Sequence, residues 1–366
     1  MDPRSYHGAA MTSLEPTEGP LTFEELQLAT RNRGMPLEAL RYDLTPTGLH
    51  YLLIHWDIPL VDASTWRLRL GGHIQRPMEL TLDQVRDRPR ETIPVTLECA
   101  GNGRARMTPR ALSQPWLFEA VSTAEWTGTP LAPLLAEAGV AEDAVEVVFT
   151  GADRGIQGEV EQDYQRSLTI ADASRTEVLL AYEMNGAPLQ PQHGFPLRLL
   201  VPGWYGMTSV KWLTSIEAVT EPFTGYQQTP AYHYEVEPGQ LDDPVTRIRV
   251  HALMVPPGIP DFFTRNRVVE AGRVTLRGRA WSGQAPVERV EVGVDGAWAD
   301  AQLDPPTGEF AWRGWSYDWD AEAGDHELTC RATDAAGNTQ PVEQPWNRQG
   351  VGNNLVQLVT ASVRPS

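Results

Sequence analysis

The sequence predicts an α+β protein: a mixed α/β unit over residues 1–240, followed by an all-β, immunoglobulin-like sandwich over residues 241–366. Three observations predict it. Gly 31 and Pro 30 make up about one residue in six, above the roughly 12% of average usage, and such punctuation favours turns and therefore strands. Up to about residue 220, short apolar segments bounded by Gly, Pro or Asn alternate with stretches of helical spacing, the pattern of strands and helices sharing one core. Beyond about Pro244 the periodic segments alternate residue by residue, as an antiparallel sandwich requires.

The elements follow in order. The opening MDPRSYHGAAMTSLEPTEGP reads as a loose polar lead-in with no apolar export core and no twin arginine, so cytoplasmic residence is expected. LTFEELQLATRNRGMPLEAL, from Leu21 to Leu40, predicts two short helices split near Pro36. YLLIHWDIP and TWRLRLGG, between Tyr51 and Gly72, predict strands joined by turns. LTLDQVRDRP and LAPLLAEAGV predict surface helices, the second opening near Thr129-Pro130 and closing at Gly139. VEVVFTG, EVLLAYEMNG, FPLRLLVPG and VKWLTSIEAV predict core strands. The polar run HYEVEPGQLDD, expected to be a solvated loop, then separates this unit from TRIRVHALMV, GRVTLRGRAW, VERVEVGVDGAW, GEFAWRGWSYDW, GDHELTCRATD and NLVQLVTASV. Trp298, Trp312, Trp315, Tyr317 and Trp319 belong to that tail, as sandwich core or as a subunit interface.

Charge and cysteine count narrow the function. With 48 acidic against 30 basic residues the formal charge is −18, which argues against a nucleic acid or an anionic membrane as main partner. No uninterrupted apolar run reaches the ~18 residues of a membrane span. The two cysteines exclude a disulfide framework, a cysteine-ligated iron–sulfur cluster, a four-cysteine zinc site and a Cys-x-x-Cys-His haem attachment. No haem is expected.

The most informative run is Thr96-Leu-Glu-Cys-Ala-Gly-Asn-Gly-Arg-Ala-Arg106. Cys99 ends a strand-like segment and is followed by a small-residue turn and two arginines. Cationic neighbours are expected to depress its pKa and hold a thiolate that ligates a soft metal or attacks an electrophile; the alternative is a buried structural cysteine. For Cys330, in phase with Leu328, the core reading wins. A second cluster runs from Gln192-His193 through Arg198, Ser209 and Lys211, where turns at Pro202-Gly203 and Gly206 let the donors converge on a phosphate. No G-x-x-x-x-G-K-[ST] loop or G-x-G-x-x-G fingerprint is present, which disfavours ATP and NAD.

ECAGNGR, AVSTAEWTGTPLAPLLAEAG and VLLAYEMNGAPLQPQHGFPLRLLVPGWYGMTSVKWL closely resemble the sulfite oxidase family of molybdenum-cofactor enzymes, which includes the molybdenum domain of plant nitrate reductases. VDGAW, CRATDAAGNTQP and QPWNRQG resemble its immunoglobulin-like dimerisation domain. The resemblance implies that Cys99 is the single protein ligand to molybdenum, whose other sulfurs come from a molybdopterin. It places the cofactor anchors at His55 and the backbone from Tyr51 to Ile54, at Asp153, His193 and Arg198, and at Ser209, Val210 and Lys211. It makes Arg104 a substrate-anion residue, Trp116 a pocket wall, and Tyr232, or else Tyr234, the active-site tyrosine. The reaction implied is two-electron oxygen-atom transfer, sulfite to sulfate, in a haem-free homodimer that passes electrons to an external acceptor such as a cytochrome. Nitrate or sulfoxide reduction is the alternative within the family; a cofactor-storing or partner-binding scaffold and a Cys99–His193 hydrolase are the alternatives outside it. The match departs where Leu53 and Ile54 replace an arginine and an asparagine, and where Leu358 falls at a further anion-binding arginine. Each lost charge-assisted contact weakens anion binding by roughly 1.5–3 kcal/mol unless Arg106, Lys211 or another cation takes over.

Overall fold

A computed structural model describes residues 15–240 and 242–365; most of the expected polar lead-in lies outside the described residues. The first helix, Phe23–Arg31, begins in a reciprocal cap in which Glu25 N–H donates to Thr22 Oγ1 (3.2 Å) and Thr22 N–H to Glu25 Oε2 (2.8 Å). After the Gly34-Met-Pro36 break the chain forms the tighter 3₁₀ turn Leu37–Arg41, so both expected helical pieces are present. Leu82–Arg86 is capped in the same manner by Thr81 and Gln84. Leu131–Ala138 enters through Pro130 and stops at Gly139, whose φ of 69° is the left-handed stop that glycine accommodates best.

The expected strand over Tyr51–Pro59 is absent. Apart from one bridge between Leu52 and Arg33, this run joins no ladder. Its backbone is claimed by side chains instead: Tyr51 N–H donates to Ser122 Oγ (3.0 Å), Ile54 N–H to Asn32 Oδ1 (2.7 Å), and Leu53 O accepts from Lys211 Nζ (2.7 Å). The alternating apolar side chains line a cavity rather than a sheet face.

Two five-stranded sheets make the first unit. One runs Met78–Leu80, Leu68–Gly72, Leu213–Val219, Glu146–Gln157, Val160–Thr169, antiparallel except for the Leu68–Gly72/Leu213–Val219 pair. The other runs Glu91–Glu98, Val121–Pro130, Leu179–Met184, Ala187–Pro188, with Arg198–Leu200 also pairing on Leu179–Met184. Each has its own core: Leu68, Phe149, Leu197 and Leu213 are fully buried around the first, Val95, Trp126, Leu179 and Leu200 around the second. The segment around Arg198–Leu200 contributes to both cores, with Leu197 and Leu199 in the first and Leu200 in the second.

The remaining strands form a four-stranded and a six-stranded sheet packed face to face. Trp315 and Trp319 are buried in the sandwich core, so for these two the core reading holds, whereas Trp312 is buried at the junction with the first unit, its Nε1–H donating to Asp43 O (2.8 Å); Cys330 is wholly buried beside Leu328. Trp298 instead lies under the Arg331 guanidinium, 4.3 Å from its ring centre. The sandwich is bonded to the first unit: Thr96 N–H donates to Phe310 O (2.8 Å), and the Glu98 carboxylate receives Trp281 Nε1–H (2.8 Å) and lies 3.1 Å from His251 Nδ1.

Candidate active site

Cys99 follows directly on strand Glu91–Glu98, and the turn after it is built by its small residues. Asn102 staples the turn: its amide donates to Glu98 Oε1 (2.9 Å) and its carbonyl accepts from Ala120 N–H (3.0 Å). A side chain at Gly101 would begin 2.6 Å from the Arg104 guanidinium, and one at Gly103, already left-handed at φ 79°, would begin 2.8 Å from Asn353. The glycines thus let Arg104 fold back across the turn toward Cys99. Burial pushes the Cys99 thiol above its ordinary range, and Arg104, the Gly101 N–H and Trp116 offset this only in part. The expectation of a thiolate held by its cationic neighbours is corrected: with no metal bound, desolvation outweighs the arginine.

Two adjoining cavities meet at Cys99, sharing Leu53, His55 and Tyr232 as walls. The smaller, about 80 Å³, collects His50, Tyr51, Asp153, His193, Arg198, Ser209 and Lys211. A glycine turn brings several of these together: Gly194, at φ 104°, lies so close to Lys211 that an added side chain would begin 3.0 Å from its Cβ. Arg198 donates to His193 O (3.2 Å) and Ser209 O (3.1 Å), and Lys211 to Leu53 O and Gln192 O (2.7 and 3.2 Å). Arg104 likewise donates to Gln349 O, Gly350 O and Gln114 O. Among the described residues, these three cations, Arg104 and Arg198 buried and Lys211 half-buried, are therefore hydrogen-bonded by carbonyls and by no carboxylate, with Asp153 the one carboxylate in the same cavity, a costly arrangement unless a ligand brings negative charge.

The electrostatics agree. Burial, then the Arg198 charge, pushes the Lys211 amine down to about 7, with Asp153 opposing; burial lowers Arg198 to about 10. Burial lifts Asp153 to about 6 against the pull of Lys211. His50 and His193 are pushed to about 4 and about 2, burial first in both, so both rings are neutral. His50 Nε2, Arg198 Nε and Asp153 Oδ1 are buried without a hydrogen-bond partner.

Not every expected residue is here. Val210 points into the first sheet's core and lines neither cavity. Arg106 is exposed, stacked on Phe118. Leu358 lies on strand Gln357–Arg364 opposite Thr329, half-exposed and remote from both cavities, so the anion-binding position expected there does not exist. Between the two tyrosines the geometry selects Tyr232, which lines both cavities; Tyr234 packs 4.1 Å beneath Arg249. Tyr232 adopts φ 65°, a left-handed strain held by Gln349, whose Oε1 accepts from the N–H of Tyr232 (2.8 Å) and His233 (3.3 Å).

The larger cavity, about 580 Å³, holds Arg104 and Trp116. It also holds residues that sequence reasoning missed: Gln114, Gln157, Glu235, Arg348 and Gln349. Glu235 was expected to be a solvated loop residue, but its side chain is only 17% exposed and faces Arg348. No local motif marks these positions, because four separate chain segments supply them.

Comparison with known proteins defines first a class. Residues 55–227 match the oxidoreductase molybdopterin binding domain, and residues 245–362 the Mo-co oxidoreductase dimerisation domain. Human mitochondrial sulfite oxidase is 35% identical over 347 residues, covering 88% of this chain and 62% of that protein; chicken (Gallus gallus) sulfite oxidase is 34% identical, covering 84% and 71%. Nitrate reductase [NADH] 1 of Oryza sativa subsp. japonica is 33% identical, covering 87% and 38%. The chain thus spans less than two thirds of the length of the human and rice proteins. The crystal structure of the sulfane dehydrogenase SoxCD from Paracoccus pantotrophus shares the fold, with a TM-score of 0.79 over 100% of this chain and 98% of that one at 24% identity. The chain belongs to the sulfite oxidase family of molybdopterin oxidoreductases.

The residues present fit that cofactor. Unpaired buried cations beside neutral imidazoles and orphaned polar atoms suit a phosphate-bearing pterin, and the cavity that holds them opens at a lone cysteine.

Proposed function

We propose that the chain is a molybdenum-cofactor oxidoreductase that oxidises a sulfur oxyanion by two electrons with transfer of an oxygen atom, sulfite to sulfate being the parent reaction. The observation that carries it is the set of cations, hydrogen-bonded to carbonyls and in no salt bridge among the described residues, around a cavity reached by Cys99. In this reading Arg198, Lys211, His193, Ser209, Asp153, His55 and the backbone near Tyr51 hold the molybdopterin, and Cys99 ligates the metal. When bound, that group supplies a two-electron redox centre competent in oxygen-atom transfer.

The protein's own residues position and compensate. Arg104, whose Nη2 makes no hydrogen bond among the described residues, offsets the substrate's charge. Burial holds the Tyr232 hydroxyl up to about 12, so it keeps its proton at neutral pH and donates to a substrate oxygen. Trp116, 5% exposed, excludes water from the reacting side. Residues 1–240 form the cofactor-binding unit and residues 241–366 a dimerisation unit, and electrons leave the homodimer to an external acceptor such as a cytochrome.

The test is elemental analysis with turnover. One molybdenum per chain and dye reduction by sulfite exceeding nitrate or sulfoxide reduction are expected. Cys99→Ser should lower turnover at least 1,000-fold with unchanged circular dichroism, which a non-catalytic scaffold would not show. A molybdenum-loaded Cys99→Ser variant as active as the parent protein would overturn the reading.

A further inference from the structure

Resting on that reading, we propose that the substrate is a carbon-bearing sulfinate, R–SO₂⁻, in preference to sulfite. Three observations of the larger cavity converge on it.

The first is extent. The cavity of about 580 Å³ is bounded at one end by Cys99 and His55, the end that the cofactor would take, and the remainder adjoins it on the far side of Arg104 and Trp116, within the range of pockets that enclose organic ligands. Sulfite has four heavy atoms and would touch only the end at Cys99, Arg104, Trp116 and Tyr232. The cavity runs on past it to helix Phe23–Arg31 and to the tip of the hairpin joining Glu146–Gln157 to Val160–Thr169.

The second is charge. Among the described residues, Arg104 is the lining arginine with no carboxylate partner and with Nη2 making no hydrogen bond. The other lining arginine, Arg348, is already engaged with Glu15 (2.8 Å) and faces Glu235 (3.8 Å), which is itself a wall of the cavity. His55 is bonded to Gln157 Oε1 (2.8 Å), and burial lowers its pKa, so it adds no charge. The wall offers one uncompensated positive charge, enough for a monoanion and too little for a dianion beside an anionic cofactor.

The third is the mixed lining. Leu53, one of the walls shared by both cavities, is followed by Ile54 and Trp56, with Leu28, Leu112 and Ile156 around them, beside uncharged polar side chains such as Asn32, Gln114 and Gln157. Such a lining gains from burying a hydrocarbon arm and supplies no second positive charge for a further oxyanion oxygen.

A sulfinate is sulfite with one oxygen replaced by carbon, and it keeps the sulfur lone pair. The balanced reaction is R–SO₂⁻ + H₂O → R–SO₃⁻ + 2 H⁺ + 2 e⁻. The lone pair becomes the new S–O bond, the oxygen derives from water, both protons pass to solvent, and the electrons leave one at a time to the external one-electron acceptor.

The experiment uses molybdenum-loaded holoenzyme with ferricyanide as acceptor and compares kcat/KM for sulfite, methanesulfinate and benzenesulfinate. Benzenesulfinate is expected to exceed both by at least tenfold. Leu53→Arg should shift the ratio at least tenfold toward sulfite. Isothermal titration of the holoenzyme gives a readout independent of turnover: benzenesulfonate should bind at least tenfold tighter than sulfate. Sulfite oxidised as well as benzenesulfinate, or sulfate bound as tightly as the sulfonate, overturns this proposal and leaves the oxidoreductase reading intact. Loaded enzyme that oxidises none of the three overturns both.

Discussion

Lys211 shows how a single side chain carries the design. Its ammonium is half-buried with two carbonyls as acceptors and its pKa falls to about 7, so in the cofactor-free protein it destabilises the fold. Because the folded value lies below the ordinary 10.5, the penalty is absent above that pH, grows as pH falls, and is complete near pH 7. Lys211→Met should therefore raise the stability of cofactor-free protein by about 1 kcal/mol at pH 7, with the gain shrinking toward pH 10 in thermal unfolding. Pterin retention, read by fluorescence of the released oxidised pterin, should fall at least tenfold in the same variant. Lys211, Arg198, His193 and Cys99 were legible in the sequence because each sits in a compact run of turn residues. His50 and Gln349 were not: His50 matters through its ring contact with His193 at 5.5 Å, and Gln349 through a backbone more than a hundred residues away.

At the scale of elements, the sandwich strands were legible because strict alternation has one structural meaning, whereas Tyr51–Pro59 alternates without a partner strand. Local pattern cannot show that Ser122, Asn32 and Lys211 will take its backbone groups. Leu358 failed for a related reason: its place on a strand is fixed by pairing with Thr329, which local sequence similarity does not reveal. One hairpin offers a direct test. Asp295 and Gly296, at φ 50° and 84°, form the turn between Val287–Val294 and Ala297–Asp300. The Asp295 carboxylate accepts from Glu327 N–H (2.8 Å) and from His326 Nδ1 (2.7 Å), while His326 Nε2 meets Glu322 O (2.9 Å). Both ring nitrogens face acceptors, and the bond to Asp295 raises the His326 pKa. The pair's contribution, about 0.5 kcal/mol after solvent screening, is complete below the unfolded value of 6.5 and is lost as pH rises through the higher folded value. The Tm gap between the protein and His326→Gln should accordingly be widest below pH 6.5 and close at alkaline pH.

At the scale of the whole molecule, the net charge of −18 and the buried cations describe two different places. The acidic exterior favours a basic electron acceptor, whose reduction rate should fall as ionic strength rises, and a flat salt profile would count against electrostatic docking. The two halves of the chain are joined beside the site by Glu98, which is 1% exposed and takes donors from Asn102 and Trp281 with His251 alongside. Trp281→Phe leaves a buried carboxylate oxygen short of a donor and should cost about 1–3 kcal/mol in denaturant unfolding of the full chain. Across the same seam Asn353 Nδ2 donates to Gly103 O (2.8 Å), and Gln349 and Gly350 carbonyls receive Arg104. That seam constrains how such enzymes can be recombined. A chimera joined at the boundary near residue 240 would import a foreign 347–354 loop and with it a foreign setting for Arg104 and Tyr232. Exchanging the tail is thus an edit of the catalytic pocket, and a graft that keeps substrate preference must carry residues 347–354 with the cysteine turn as one heritable block.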